Sequence, residues 1–171
     1  MTTAELLATV SRDCPLVTVV GGRLLTTKGV PFSLLERDED FQHEVLNHFE
    51  KDLTRQVSSH IEPKTCEQLL ELIAAIFPFP LKNEQFQQVA SEFLSLGKTE
   101  LIKYIDILGQ FGVILQQGTG WEITPDVLSD YILHKACVNH QGYLTGYAQE
   151  VFEQFKQICP AQVLTNLAEL D

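Results

Sequence analysis

Between Glu62 and Thr124 the spacing of apolar residues changes from helical to strand-like, and this change limits what the chain can become. Leu69, Leu70, Ile73, Ile76 and Phe77 recur at helical spacing and stop at Pro78 and Pro80. Thr65-Cys66-Glu67-Gln68 has the form of a capping box, which predicts a helix start there. Phe86, Val89, Ala90, Phe93 and Leu94 form a second stripe behind Asn83, a capping residue. A third stripe, Leu101, Ile105 and Leu108, lies between Gly97 and a C-terminal cap at Gly112. Val113–Gln116, the turn residues Gln117-Gly118-Thr119-Gly120, and Trp121–Ile123 then read as a hairpin. Three helices and a hairpin within about sixty residues make the winged-helix pattern, a helix-turn-helix variant.

The flanks read as helical. Asp38 or Asp40 can open a helix whose stripe is Phe41, Val45, Leu46, Phe49, Leu53 and Val57. Leu16–Val20 is β-branched and ends at Gly21-Gly22, which suits a strand, while Pro15 could equally start a helix. After the hairpin, Thr124-Pro125-Asp126 reads as a cap, a proline and an acid at a helix start. Leu128, Tyr131, Ile132 and Ala136 line that helix. Leu144, Tyr147, Ala148, Val151, Phe152, Phe155 and Ile158 give another stripe. Pro160 opens a last helix through Val163, Leu164, Leu167 and Leu170. The expected fold is mainly α: a helical domain over 1–60, a winged helix over 61–124, and C-terminal helical hairpins over 125–171 that would begin a helical repeat or sensor region.

Composition narrows the functions. The chain has 171 residues, 44% hydrophobic and 20% charged, ordinary for a soluble globular protein. No apolar run approaches the ~20 residues that span a bilayer. Glu5, Asp13 and polar residues precede Leu16–Val20, with Arg12 as the one basic side chain, so no signal peptide is read and a cytoplasmic location is expected. Cys14, Cys66, Cys137 and Cys159 are far apart and read as reduced core thiols. The net charge of −11 repels a phosphate backbone. Residues 62–124 share the deficit. Lys64, Lys82, Lys98 and Lys103 stand against Glu62, Glu67, Glu71, Glu84, Glu92, Glu100, Asp106 and Glu122.

Three motifs invite chemistry. Gly97-Lys98-Thr99 looks like the end of a phosphate-binding loop, but Glu92 occupies the first glycine position, within a predicted helix. His134, Cys137 and His140 are spaced by three, with no fourth metal ligand nearby. His43, His48 and His60 have no matching acid or nucleophile, and a glycine–serine elbow is absent. The chain therefore reads as non-catalytic and metal-free. In a DNA-binding winged helix the segment Thr99–Phe111 would enter the groove, where Tyr104 and Gln110 could touch bases. It carries no arginine, and its lysines face Glu100 and Asp106.

Cys14-Pro15-Leu16-Val17 resembles the Gly-x-Pro-Leu-Ala motif that follows the nucleotide-binding core of STAND NTPases. These signalling ATPases include plant NB-ARC resistance proteins, the apoptotic protease-activating factor and many bacterial defence proteins. Their order of helical domain, winged helix and helical sensor is similar to the order read here. The stretch from Thr124 to Leu133 is also similar to bacterial members at the exit of the winged helix. Asp13 stands where the first motif usually has glycine, and Pro125 where many members have a histidine before the aspartate matched by Asp126.

The resemblance implies a helix at Leu16–Val20 and an adenine contact for Pro15 and Leu16 in the intact protein. It implies an exit motif at Thr124, Pro125 and Asp126. It further implies a regulatory arm that relays nucleotide state from an NTPase core to a C-terminal sensor, with homo-oligomerisation on activation. The core would lie upstream, so ADP or ATP is expected only together with it. Two other classes fit the residues: a winged-helix DNA-binding regulator, and an acidic winged-helix adaptor for a protein partner.

Overall fold

The computed structural model describes residues 38–118 and 120–168, in which seven helices and one two-stranded antiparallel sheet are found. The chain divides into two compact units, Met1–Leu53 and Thr54–Asp171. Pro15 and Leu16, and the strand-or-helix question at Leu16–Val20, lie outside the described residues.

Helix α1 (Asp38–Val57) follows its predicted stripe. Val45, Leu46, Leu53 and Val57 are buried and Phe49 is half-buried.

In the second unit, α2 (Pro63–Ile76) is the element on which the three C-terminal helices and the second strand of the hairpin pack. It begins earlier than the Thr65–Gln68 box predicts. Pro63 takes the first helical position, where its fixed φ suits the helix and its missing N–H leaves nothing unsatisfied. Glu62 is the capping residue without a side-chain cap. Thr65 instead donates its hydroxyl to Glu62 Oε2 at 2.9 Å, so the capping box does not form. Beyond Cys66, Leu69 and Leu70, the five consecutive residues Leu72–Ile76 are buried. Five residues exceed a full helical turn, so this end of α2 is enclosed on every side.

Helix α3 (Glu84–Phe93) starts at its predicted cap. Asn83 Oδ1 accepts from the amides of Gln85 (2.9 Å) and Phe86 (3.1 Å). The helix ends in a Schellman turn. Ser95 takes the left-handed conformation (φ 55°), its amide donates to Glu92 O (3.1 Å), and that of Leu96 donates to Ser91 O (2.8 Å). Helix α4 (Lys98–Gln110) ends the same way, with Gly112 at φ 70° and Val113 N donating to Leu108 O at 2.9 Å.

Strands β1 (Ile114–Gln117) and β2 (Gly120–Ile123) pair Ile114 with Ile123 and Gln117 with Gly120, leaving a two-residue turn. Phe79 adds a rung to the sheet, its amide donating to Trp121 O at 3.3 Å. Two contacts permit the close fit. Gly109 leaves room for the Trp121 ring, which would lie 3.3 Å from a Cβ there. A Cβ on Gly120 would fall 2.6 Å from Pro78 Cβ.

Helices α5 (Asp126–Cys137), α6 (Tyr147–Phe155) and α7 (Pro160–Ala168) each contact α2 and share its core. Phe79, Phe86, Phe155, Phe93 and Tyr147 form a chain of ring contacts, with successive centroids 5.6 to 6.2 Å apart, that joins the hairpin side to α6. Such pairs add about 0.5–1.5 kcal/mol each beyond their buried area. No described helix is long and apolar enough to cross a membrane.

Candidate functional site

The outer face of α4, the hairpin and the turn before α3 enclose a groove of about 440 Å³. Leu81, Thr99, Ile102, Lys103, Ile105, Asp106 and Trp121 line it. Helical spacing produces the α4 wall. Leu101, Ile105 and Leu108 turn inward, so Thr99, Ile102, Lys103 and Asp106 fall on the open side. Ile102 is 40% exposed, an apolar residue facing the opening. Gly109 lets the Trp121 ring close the hairpin end of the wall.

Charge on this face is balanced. Lys98 and Lys103 are offset by Glu100 and Asp106. The two side chains suited to reading bases are already engaged on their own helix. Tyr104 donates its hydroxyl to Glu100 Oε1 at 2.7 Å, and Gln110 Nε2 donates to Asp106 Oδ2 at 2.7 Å. The bond to Glu100 is also the main reason the Tyr104 phenol titrates above its ordinary range, helped by burial and by the charges of Glu100 and Glu62.

Gly97-Lys98-Thr99 forms the start of α4, in the turn after α3. Glu100 reaches back until Oε2 is 3.5 Å from the Gly97 amide nitrogen, so a carboxylate stands where a phosphate would need amides. His134 and His140 are exposed and Cys137 is buried. Among the described residues no group of three His, Cys, Asp or Glu side chains could hold a metal ion. Cys66, Cys137 and Cys159 are buried thiols. Burial raises the Cys137 thiol and pushes that of Cys159 up to about 11, which makes both poor nucleophiles at neutral pH.

The predicted exit motif follows directly on the hairpin, and Thr124, Pro125 and Asp126 are not among the residues that line the groove. Thr124 is not a side-chain cap: its amide donates to Val113 O at 3.0 Å and extends the hairpin by one rung. Pro125 is the capping residue of α5 and has no cap hydrogen bond, while Asp126 is exposed in the first turn. The sequence offered Tyr104 and Gln110 only for the DNA-binding alternative and did not signal Ile102, Leu81 and Trp121 as one surface. Ile102 falls outside the apolar stripe of its helix, and only the fold brings Leu81 and Trp121 to it. No protein-family model, curated protein or solved structure matches the chain.

Proposed function

We propose that this chain is the non-catalytic regulatory arm of a STAND-type signalling ATPase. In this reading Glu62–Thr124 is a winged helix that meets its NTPase core through the α4 groove, and α5–α7 carry its movement to a sensor. The order α2, Phe79 rung, α3, α4, β1, β2 supports the winged-helix assignment.

One observation carries the docking assignment. The α4 face has balanced charge, self-engaged polar side chains and an apolar groove, which suits a protein surface and opposes a phosphate backbone. The core shared by α2 and α5–α7 supports a relay in which these elements turn as one body. Adenine would be met through Pro15 and Leu16 only when the core is present.

A photo-reactive amino acid at Ile102, in the chain expressed in its own cells, tests the reading. The expected adduct is to a protein segment that carries a phosphate-binding loop, and its yield changes when ADP replaces ATP. An adduct to an unrelated protein, or duplex DNA retained at low salt and released steeply as salt rises, overturns it. Calorimetric titration of the chain alone with ADP and ATP is expected to show no tight binding. ATP turnover by the chain alone would also sink it.

A further inference from the structure

The segment Phe77–Leu81 is anchored to α3, where Gln87 Nε2 donates to Leu81 O at 2.8 Å and the buried Phe79 ring stacks on Phe86, and it is held from two further directions. On one side is Asn166 of α7, only 5% exposed. Its Nδ2 donates to Ala75 O at 3.2 Å and to Phe77 O at 2.8 Å, carbonyls at the end of α2 that lack partners within the helix. On the other side is β2. Phe79 N donates to Trp121 O at 3.3 Å, and Pro78 lies so close to Gly120 that a Cβ there could not fit. The same segment ends at Leu81, which with Trp121 forms part of the groove wall. The hydrogen bond from α7 and the wall of the groove are therefore two ends of one five-residue strap.

Helix α7 is short and docks on α2 and α6. It has nine residues, and its buried side chains are Val163 and Asn166. Leu164 is 54% exposed. A helix this short has little intrinsic stability, so its docking depends on these contacts. Releasing it would take the Asn166 donor from two carbonyls at the end of α2, one in a buried bond and one in a part-buried bond, and the change falls on the start of the strap.

We infer that α7 is a latch on the α4 groove. With Asn166 docked on Phe77, the strap sits against β2 and the groove has the shape described. With α7 released, Phe79 loosens from Trp121 and the groove changes shape. By linkage, a partner that fits one groove shape must shift the docking of α7 by the same free energy. The latch assigns regulation to the proposed docking groove and rests on that reading for its use, but its test needs no partner.

Trp121 is the single tryptophan, so its fluorescence reports on the groove without labelling. Hydrogen exchange read by NMR reports on the Phe79 amide and on α7. In Asn166→Ala, Trp121 emission is expected to shift and the Phe79 amide to lose roughly tenfold in protection, the scale of one lost hydrogen bond. Leu164→Ala, on the exposed side of α7, is expected to leave both unchanged.

If α7 loses protection while Phe79 and Trp121 stay as they were, α7 is a structural helix only and the latch is wrong. It is equally wrong if Asn166→Ala leaves α7 itself unchanged. Should Asn166→Ala fail to fold, Val163→Ala loosens α7 through packing, and Phe79 and Trp121 must then change with it or the inference falls. Capture of a partner that is not an ATPase would overturn the proposed function and leave this result standing.

Discussion

Ser95 holds a backbone conformation that suits glycine. It occupies the left-handed position of the turn after α3, where its Cβ crowds the following carbonyl at a cost of about 1–2 kcal/mol. Gly112 fills the same place after α4 without that cost. Ser95→Gly is therefore expected to stabilise the protein by about 1 kcal/mol, less a fraction for the freer unfolded chain. Urea unfolding should show a higher midpoint at unchanged slope, and a lower midpoint would refute the strain. The two asparagine caps show which polar roles a sequence reveals. Asn83 acts two and three residues away and announces itself by standing before an apolar stripe. Asn166 acts 91 and 89 residues away, and nothing local distinguishes it from a surface residue. At Thr65 two local signals competed, and Pro63 prevailed because its ring already has the backbone angle of the first turn.

At the scale of elements, boundaries were less legible than faces. The stripe Leu144–Ile158 reads as one helix, yet α6 starts only at Tyr147, after Gly146 at φ 90°. Leu144 instead pairs with Val138 in an isolated bridge and is 82% exposed. Asn139 explains the difference. Its Oδ1 accepts from the amides of Gln141 (2.9 Å) and Tyr143 (3.0 Å), closing a loop that helical periodicity cannot signal. The joint between α6 and α7 carries a pH dependence. Cys159 N donates to Phe155 O at 3.0 Å, and its thiol titrates at about 11 because it is buried. In the unfolded chain a cysteine titrates near 8.5. The folded state thus holds its proton more tightly. The associated stability is complete below the unfolded value and is lost as pH rises toward about 11. Urea midpoints measured from pH 8 to 11 should fall, and Cys159→Ala should flatten the fall; an equal slope in both would show that the thiol is not responsible.

For the whole molecule, the enclosure of α2 decides what can fold alone. Thr124 reads as the end of a winged helix, and the elements do change there, but the core does not. α5, α6 and α7 all contact α2, and residues 54–171 form one compact unit. This was not legible because an apolar stripe specifies the face a helix buries and not how many neighbours share it. Leu72, Ala74 and Ala75 lie outside the predicted stripe of α2 and are buried all the same. A chain cut to residues 54–124 would expose surface of α2 that these three helices cover. Returning a leucine-sized side chain to water costs about 1.5–3 kcal/mol. Two or three such losses approach the roughly 5–15 kcal/mol that hold a domain together. The 54–124 fragment is therefore expected to melt without a cooperative transition and to bind a hydrophobic dye, while 54–171 melts sharply. Circular dichroism melts of the two decide it. A sharp transition in the shorter chain would mean that the three helices and hairpin hold a core of their own, and that α5–α7 dock on a finished domain. In that case movement of the hairpin side need not carry the C-terminal helices with it, and the relay would require a second contact.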